Sequence, residues 1–395
     1  MPMVPLMNTG MFSAPPKMGL FFNQLDQTPL GQEFLRLMMM SAWELANQWF
    51  EHPKTLIDMM NHPSEAMVDP EQSGSAFYLL ALIPTQHLAA SNNAFVRGGM
   101  QGLPDALARC IEDHGGSILT DHEVVKINTK GGKIDGVKCS NGEEFTARKA
   151  VISSVDPRLT LNKWLDTPLD AKLRRKIDSI TEPAFVGLMT HIALDRDPDF
   201  KVGGVSKKAV QVMALPTDLQ AFRQYFTDMR FNRVPEPAKL LGILQHRVDP
   251  GRVPEGKALL YLWQFVPYNL ADGGAARWDS IKEAVSDKAI ERYFSYTTNL
   301  SKKNILGKKI ISPLDFERNN QNMINGTVLG PSPALYQYMS YRPIPELGQY
   351  RTPVEGLYLT GQSSHPGGGV TLGGRVTAQV VLEDLGIDFD DVVSK

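Results

Sequence analysis

Apolar positions along the chain change period at a few well-marked places, clearest near the end. Leu357 to Thr360 is a short, mainly apolar run between Gly356 and Gly361, and it predicts a buried strand. From Val370 to Leu385 the period turns helical, with Val376, Val380, Val381 and Leu385 on one side and Gly386 as the stop. Gly361, Gly367, Gly368 and Gly369 lie between strand and helix. Such a turn can receive an anion or a dipole. Glycine lets the backbone approach a ligand, and the N–H groups of a first helical turn have no partner within the helix. The same residues also suit a tight strand-to-helix turn that holds nothing.

Earlier in the chain, Thr28 to Glu51 predicts one helix with a wide apolar face that includes Phe34, Met38, Trp43 and Leu45. Leu56 to Met60 and Ser75 to Ile83 predict two more. The methionines Met38-Met39-Met40 and Met59-Met60 suit ordinary core packing better than a lipophilic pocket. A glycine turn at Gly98, Gly99 and Gly102 leads into a helix from Pro104 to His114. A meander of short strands follows (Ser117 to Thr120, Glu123 to Asn128, Ile134 to Cys139, Glu144 to Ala147), with turns at Gly131-Gly132 and Asn141-Gly142. Lys149 to Ser154 predicts another buried strand. Strands from Phe185 to Leu194, Ala209 to Leu215, Leu240 to Val248 and Ala258 to Val266 predict a mixed sheet. Helices from Leu169 to Ile177, Thr217 to Phe226 and Trp278 to Leu300 would cover it.

At 395 residues the chain can bury a large core and is expected to form two lobes. The net charge of −2 is spread with mixed signs and gives no footprint for nucleic acid. Cys110 and Cys139 fit a reduced, cytoplasmic compartment. No apolar run approaches the ~18–20 residues of a membrane span. Met1 to Pro16 reads as a frayed arm, or as a sign that the natural protein starts elsewhere. Ser363, Ser364 and His365 are neighbours in sequence, whereas a nucleophile pair is assembled from distant segments. The other histidines lack zinc spacing, so no metal site is expected, and no carboxylate pair stands out.

The run Gly361-x-x-x-His365-Pro366-Gly367-Gly368-Gly369-Val370, followed by Gly374-Arg375, resembles a flavin-contacting signature. It is that of the phytoene-desaturase-like FAD-dependent oxidoreductases: carotenoid desaturases, retinol saturase and pyridine nucleotide-disulfide oxidoreductase domain 2 proteins. This chain has one residue fewer than is common there between the triplet and the Gly-Arg pair. The block from Arg97-Gly98-Gly99 through Glu123-Val124 to Asp156-Pro157 is similar to the same family. So is the run from Pro313-Leu314-Asp315 to Arg342-Pro343. The resemblance implies an α/β (α+β) fold: an incomplete FAD-binding Rossmann-like domain with a β-meander, plus a mixed-sheet substrate domain. Residues 1–94 would be a substrate-side helical region and 95–157 the FAD-domain helix and meander. Residues 158–350 would be the substrate domain and 351–395 the FAD-binding strand-turn-helix. It also implies FAD as cofactor, with Val124 on the adenine side. Gly361, His365, Pro366, Gly367, Gly368, Gly369 and Val370 would lie along the flavin ring and ribityl chain.

The strand–Gly-x-Gly-x-x-Gly–helix unit that holds a dinucleotide's pyrophosphate is not found in these 395 residues. The first expectation is therefore an oxidoreductase, truncated or half of a split enzyme, transferring hydride from an apolar substrate. A separate chain carrying the N-terminal dinucleotide-binding half would be its partner, with peripheral membrane contact compatible with such a substrate. The competing expectation is a flavin-free binding or partner subunit on the same scaffold, so that enzymatic activity of the isolated chain is left open.

Overall fold

A computed structural model of the chain describes residues 12–80, 95–369 and 371–393. Four helices come first: α1 (Met18–Asp26), α2 (Pro29–Met39), α3 (Ala42–Trp49) and α4 (Pro53–Glu65). The single helix expected over 28–51 is broken at Met40, whose backbone is extended. Ser41 starts a new helix through a capping box. Its Oγ accepts from the Glu44 N–H at 3.1 Å, and the Glu44 carboxylate accepts from the Ser41 N–H at 2.8 Å. Of the methionines expected to pack, Met38 and Met60 are buried, Met40 and Met59 are partly buried against the core, and Met39 is exposed. Residues 76–80 are helical, and the rest of the helix expected over 75–83 lies outside the described residues.

After α5 (Gly102–Asp113) comes an antiparallel meander of β1 (Val124–Lys130), β2 (Lys133–Cys139) and β3 (Glu144–Thr146). The strand expected over 117–120 is irregular, and α5 buries none of its residues. Gly142 has φ 91°, the left-handed value that the Asn-Gly hairpin needs. β4 (Val151–Ser153) pairs in parallel with the strand near the chain's end, Leu357–Leu359, with Val151 opposite Leu357. A bond of 2.9 Å from the Ile134 N–H to the Glu355 carbonyl ties the meander to the same run. Ile127, Leu161, Trp164, Ile177, Leu347, Leu357 and Leu359 form one core between them. Segments far apart in sequence thus pack together as expected.

That core also takes in residues 159–180, including α6 (Ala171–Asp178), and Ile344 and Leu347. These residues fall within the 158–350 block expected to form the substrate domain. They pack on the meander instead because Leu161 and Trp164 face β1, whose Ile127 N–H donates to the Trp164 carbonyl at 2.8 Å.

The second layer is a five-stranded sheet of β5 (Val186–Leu194), β6 (Gln211–Ala214), β7 (Leu240–Ile243), β8 (Ala258–Val266) and β9 (Ile305–Ile311), in the order β6-β7-β8-β5-β9. The expected mixed sheet is antiparallel throughout. Its strands alternate between two faces, as antiparallel sheets do. Leu260 and Leu262 face α8 (Trp278–Phe294), together with Ala289, Ile290 and Tyr293. Trp263 and Phe265 face the other way, against α4 and α7 (Leu219–Arg230). β9 was not anticipated. It is an edge strand carrying Lys308 and Lys309, and such charges blunt an edge against further pairing. After α9 (Pro313–Asn319) a long loop returns to β10 (Leu357–Leu359), and α10 (Gly373–Asp384) and α11 (Phe389–Val393) close the chain. Gly386 has φ 71°, as expected of the residue that stops α10.

Candidate functional site

β10 delivers the chain into the glycine turn. Gly361 has φ 77°, and a Cβ there would come 3.1 Å from the Ser154 carbonyl oxygen. Ser363, Ser364 and His365 are buried. The Ser363 and Ser364 hydroxyls have no hydrogen-bond partner among the described residues. The His365 carbonyl accepts from the Tyr350 hydroxyl at 2.8 Å, and its ring lies edge-on to Tyr338. Pro366 is half-buried. At Gly368 a Cβ would lie 2.5 Å from the Leu329 carbonyl oxygen and 2.7 Å from its Cα, so only glycine fits. Gly369 is exposed, with open space where a Cβ would point. Val370 lies outside the described residues.

The triplet does not form the first turn of the last helix. α10 begins at Gly373, so its first N–H groups belong to Gly373, Gly374 and Arg375. Gly367 (φ 110°) and Gly369 (φ 93°) hold a left-handed conformation that cannot enter a right-handed helix. Val124 opens β1 opposite Cys139, and its side chain packs on the core that holds Leu357 and Leu359.

Arg342 lies at the centre of the junction, 2% exposed. Nη2 donates to the carbonyls of Gln362 (2.7 Å) and Leu329 (3.2 Å), Nε to Gln362 (3.2 Å) and Nη1 to Ser332 (3.3 Å). A Cβ on Gly367 would sit 3.4 Å from the guanidinium carbon. Burial pushes the Arg342 pKa down to about 10, while Tyr78, Tyr338 and Asp156 hold it up, so it stays cationic at neutral pH. Asn322 adds a second tie. Its side-chain oxygen accepts from the Asp156 N–H at 2.7 Å and its carbonyl from Gln362 Nε2 at 2.8 Å. Residues 153–156, 320–332, 342 and 361–368 thus meet in one junction that buries both the Arg342 guanidinium and Asp156.

Leu329 also packs on the second face of the sheet, beside Phe316, Met189, Tyr261 and Trp263. Tyr261 and Trp263 stack with planes 14° apart, and His191 meets Tyr261 edge-on. Gly187 clears the space for Trp263, since a Cβ there would fall 2.0 Å from the indole. Burial, with Lys309 and Arg252, lowers the His191 pKa, so the ring is neutral at neutral pH. Sequence reasoning named Arg342 only as the end of a run that resembles the family and missed Asn322, Tyr261 and Trp263. The alternation Tyr261-Leu262-Trp263-Gln264-Phe265 was the available signal for the aromatic face.

The junction makes a stability prediction. Arg342→Met keeps an apolar stem but leaves the carbonyls of Leu329 and Gln362 without a donor, while Gln337 Nε2 still serves Ser332. At ~1–3 kcal/mol for each unmet buried acceptor, the loss should be about 3 kcal/mol or more. Urea unfolding reads this as a lower midpoint at unchanged slope. An unmoved midpoint would mean that the carbonyls find other donors.

The family model for flavin containing amine oxidoreductases matches residues 22–382. Rattus norvegicus pyridine nucleotide-disulfide oxidoreductase domain-containing protein 2 is 30% identical over 365 residues, covering 87% of this chain and 60% of the relative. One component of the limonene dehydrogenase of Castellaniella defragrans is 23% identical over 388 residues, covering 92% of this chain and 68% of the relative. The chain thus spans about 60% of the length of the rat relative. Among solved structures, an oxidoreductase from Methanosarcina mazei superposes with a TM-score of 0.57 at 16% identity, covering 88% of this chain and 68% of that one, a likeness of fold. Among the described residues, no helix is long and apolar enough to cross a membrane. The match of a single family model over residues 22–382 settles the kinship: the chain belongs to the flavin containing amine oxidoreductase family.

Proposed function

We propose that the chain forms most of an FAD-dependent oxidoreductase that takes hydride from an apolar substrate. The observation that carries this is the junction around Arg342. A buried cation bonded only to carbonyls attracts negative charge, and it sits beside a turn held to glycine at Gly368 by the Leu329 backbone. The unmet hydroxyls of Ser363 and Ser364 are polar groups of the kind a cofactor edge would satisfy. The residues therefore fit FAD. The turn from Gly361 to Gly369 and the start of α10 would hold it, with the strand of Val124 on the adenine side.

Bound FAD would supply the hydride acceptor. The chain's own residues do the rest. Arg342 and the α10 dipole favour negative charge at the turn. Tyr350 fixes the His365 carbonyl. The face of Tyr261 and Trp263 offers an apolar surface that excludes water. A pyrophosphate-binding unit, in the same polypeptide or in a partner chain, completes the cofactor site in this reading. The setting is cytoplasmic, with peripheral membrane contact where the substrate is lipophilic.

The test uses the flavin-loaded protein without oxygen. A polyene or terpene should bleach the flavin, a hydrophilic amine should not, and Trp263→Ala should slow bleaching by tenfold or more. Equal bleaching by both substrates would overturn the substrate class. A second reading, a flavin-free binding subunit, draws on the unpacked α5. It predicts a protein that stays colourless even when the pyrophosphate-binding unit is supplied.

A further inference from the structure

Between the end of β5 at Leu194 and the start of β6 at Gln211 the chain projects a turn, Lys201-Val202-Gly203-Gly204-Val205-Ser206-Lys207-Lys208. It carries the two most exposed large apolar side chains among the described residues, Val202 at 82% and Val205 at 91%. Lys201, Lys207 and Lys208 flank them, all exposed and without an ion pair among the described residues. No acid occurs between Asp199 and Asp218. The acids ahead of the turn are engaged elsewhere. Asp195 binds Arg196 and Asn304, Asp197 binds Arg247, and half-buried Asp199 accepts from the Thr298 hydroxyl.

The turn is braced from below. Arg247, with a side chain 7% exposed, donates from Nη1 to the carbonyls of Ser206 (2.8 Å) and Ala209 (2.7 Å). Its Nη2 donates to the Asp197 carboxylate and the Pro198 carbonyl, each at 2.8 Å. The Ser206 hydroxyl donates to the Gly203 carbonyl at 2.7 Å. The valines are therefore held out in water by a fixed backbone, and packing gives them no role. The Lys201 N–H donates to the Tyr296 carbonyl at 2.9 Å, so Tyr296, 39% exposed, lies beside the turn. A part-exposed tyrosine suits a boundary between hydrocarbon and water. The face of Trp263 and Tyr261 runs toward this same end of the sheet, through Leu259 and the exposed Ala193 opposite it.

We infer that this turn docks the protein on an anionic bilayer. Val202 and Val205 enter the headgroup layer, and Lys201, Lys207 and Lys208 meet the lipid phosphates. Charge selects this occupant: three free cations around an apolar tip complement a surface that is negative outside and apolar within. Each lysine near such a surface contributes about fivefold in affinity, and each valine taken out of water about tenfold. The use of the contact rests on the lipophilic substrate proposed above. Docking here brings the Ala193 end of the apolar face toward the membrane that would hold it.

Co-sedimentation of the full chain with phosphatidylcholine vesicles, with and without phosphatidylserine, tests this. Phosphatidylserine should tighten binding on the order of a hundredfold, and salt should narrow the difference. Val202→Asp with Val205→Asp should weaken binding tenfold or more. Lys207→Gln with Lys208→Gln should reduce the preference for phosphatidylserine by about twenty-fivefold. Both pairs should keep the urea midpoint of the parent, and either serves if the other does not fold. Phe231→Asp, at a position 61% exposed at the opposite end of the sheet, should bind as the parent does. The inference is overturned if phosphatidylserine vesicles do not bind, if phosphatidylcholine alone binds equally, or if the tip variants bind like the parent. It is overturned equally if Phe231→Asp loses as much. A dimer in solution that the valine pair dissociates would assign the turn to a second copy and overturn it too. Sedimentation reads no flavin, so failure here leaves the redox proposal standing, and failure of a polyene to bleach flavin leaves this inference standing.

Discussion

Gly368→Val is expected to cost about 3 kcal/mol of stability or more and to leave flavin-loaded protein short of cofactor. The Cβ would meet the carbonyl oxygen, Cα and carbonyl carbon of Leu329 at 2.5, 2.7 and 2.8 Å. These are backbone atoms, so no rotamer change relieves the clash. Separating the two segments would break the Arg342 bond to the Leu329 carbonyl, because the same guanidinium holds Gln362 on the other side. Overpacking in a core costs ~1–3 kcal/mol when side chains can adjust, and backbone contact belongs at the top of that range or beyond. Gly374→Ala is the control. It lies inside α10 with nothing near its Cβ position, and alanine favours a helix over glycine by ~1 kcal/mol. Its urea midpoint should stay or rise. A Gly368→Val protein with normal stability but reduced flavin would show that the side chain blocks the ligand directly and does not displace the turn.

Much of this architecture could be read locally, and the misses share a cause. β8 was legible from Ala258 to Val266 because both its faces are buried and its run is long and apolar. The capping box at Ser41 was legible in principle as Ser-x-x-Glu, but the apolar face ran unbroken across it and hid the joint. β9 carries Gly307, Lys308 and Lys309 at its centre, so its sequence says edge or loop until β5 is seen beside it. At the site, the glycines were marked as a place where backbone approaches a ligand. Within the chain, Gly367 approaches Arg342 and Gly368 approaches Leu329, which only the fold brings near. The role of Arg342 was hidden for the same reason: its partners are carbonyls, and a carbonyl leaves no trace in side-chain sequence. The triplet was placed at the helix start because strand, glycines and helix follow in order. The left-handed φ at Gly367 and Gly369 instead defers the helix to Gly373.

The 395-residue chain by itself is expected to purify without stoichiometric FAD and to gain flavin absorbance when a strand–Gly-x-Gly-x-x-Gly–helix unit is added in cis or as a second chain. FAD is held mainly at its pyrophosphate, by loop N–H groups at a helix N-terminus. The described residues provide the turn near Arg342 and the strand of Val124, and neither is such a loop. The surface around them fits an added unit. Among the described residues β4 and β10 form a parallel sheet of two strands, and parallel sheets are stable when extended and covered on both faces. Ile152 of β4 is 48% exposed. The α5 residues Leu107 and Ile111, one helical turn apart on one face, are 58% and 47% exposed, and no residue of α5 is buried. An added parallel strand and helix would cover these positions. Leu107→Asp should then weaken capture of the added unit at least tenfold while leaving the urea midpoint of the chain alone unchanged, since Leu107 is not part of its core. Hydrogen exchange along α5 should slow when the unit binds. One tightly held FAD per chain as isolated, or full capture by Leu107→Asp, would refute the expectation and would mean that another stretch of this chain grips the pyrophosphate.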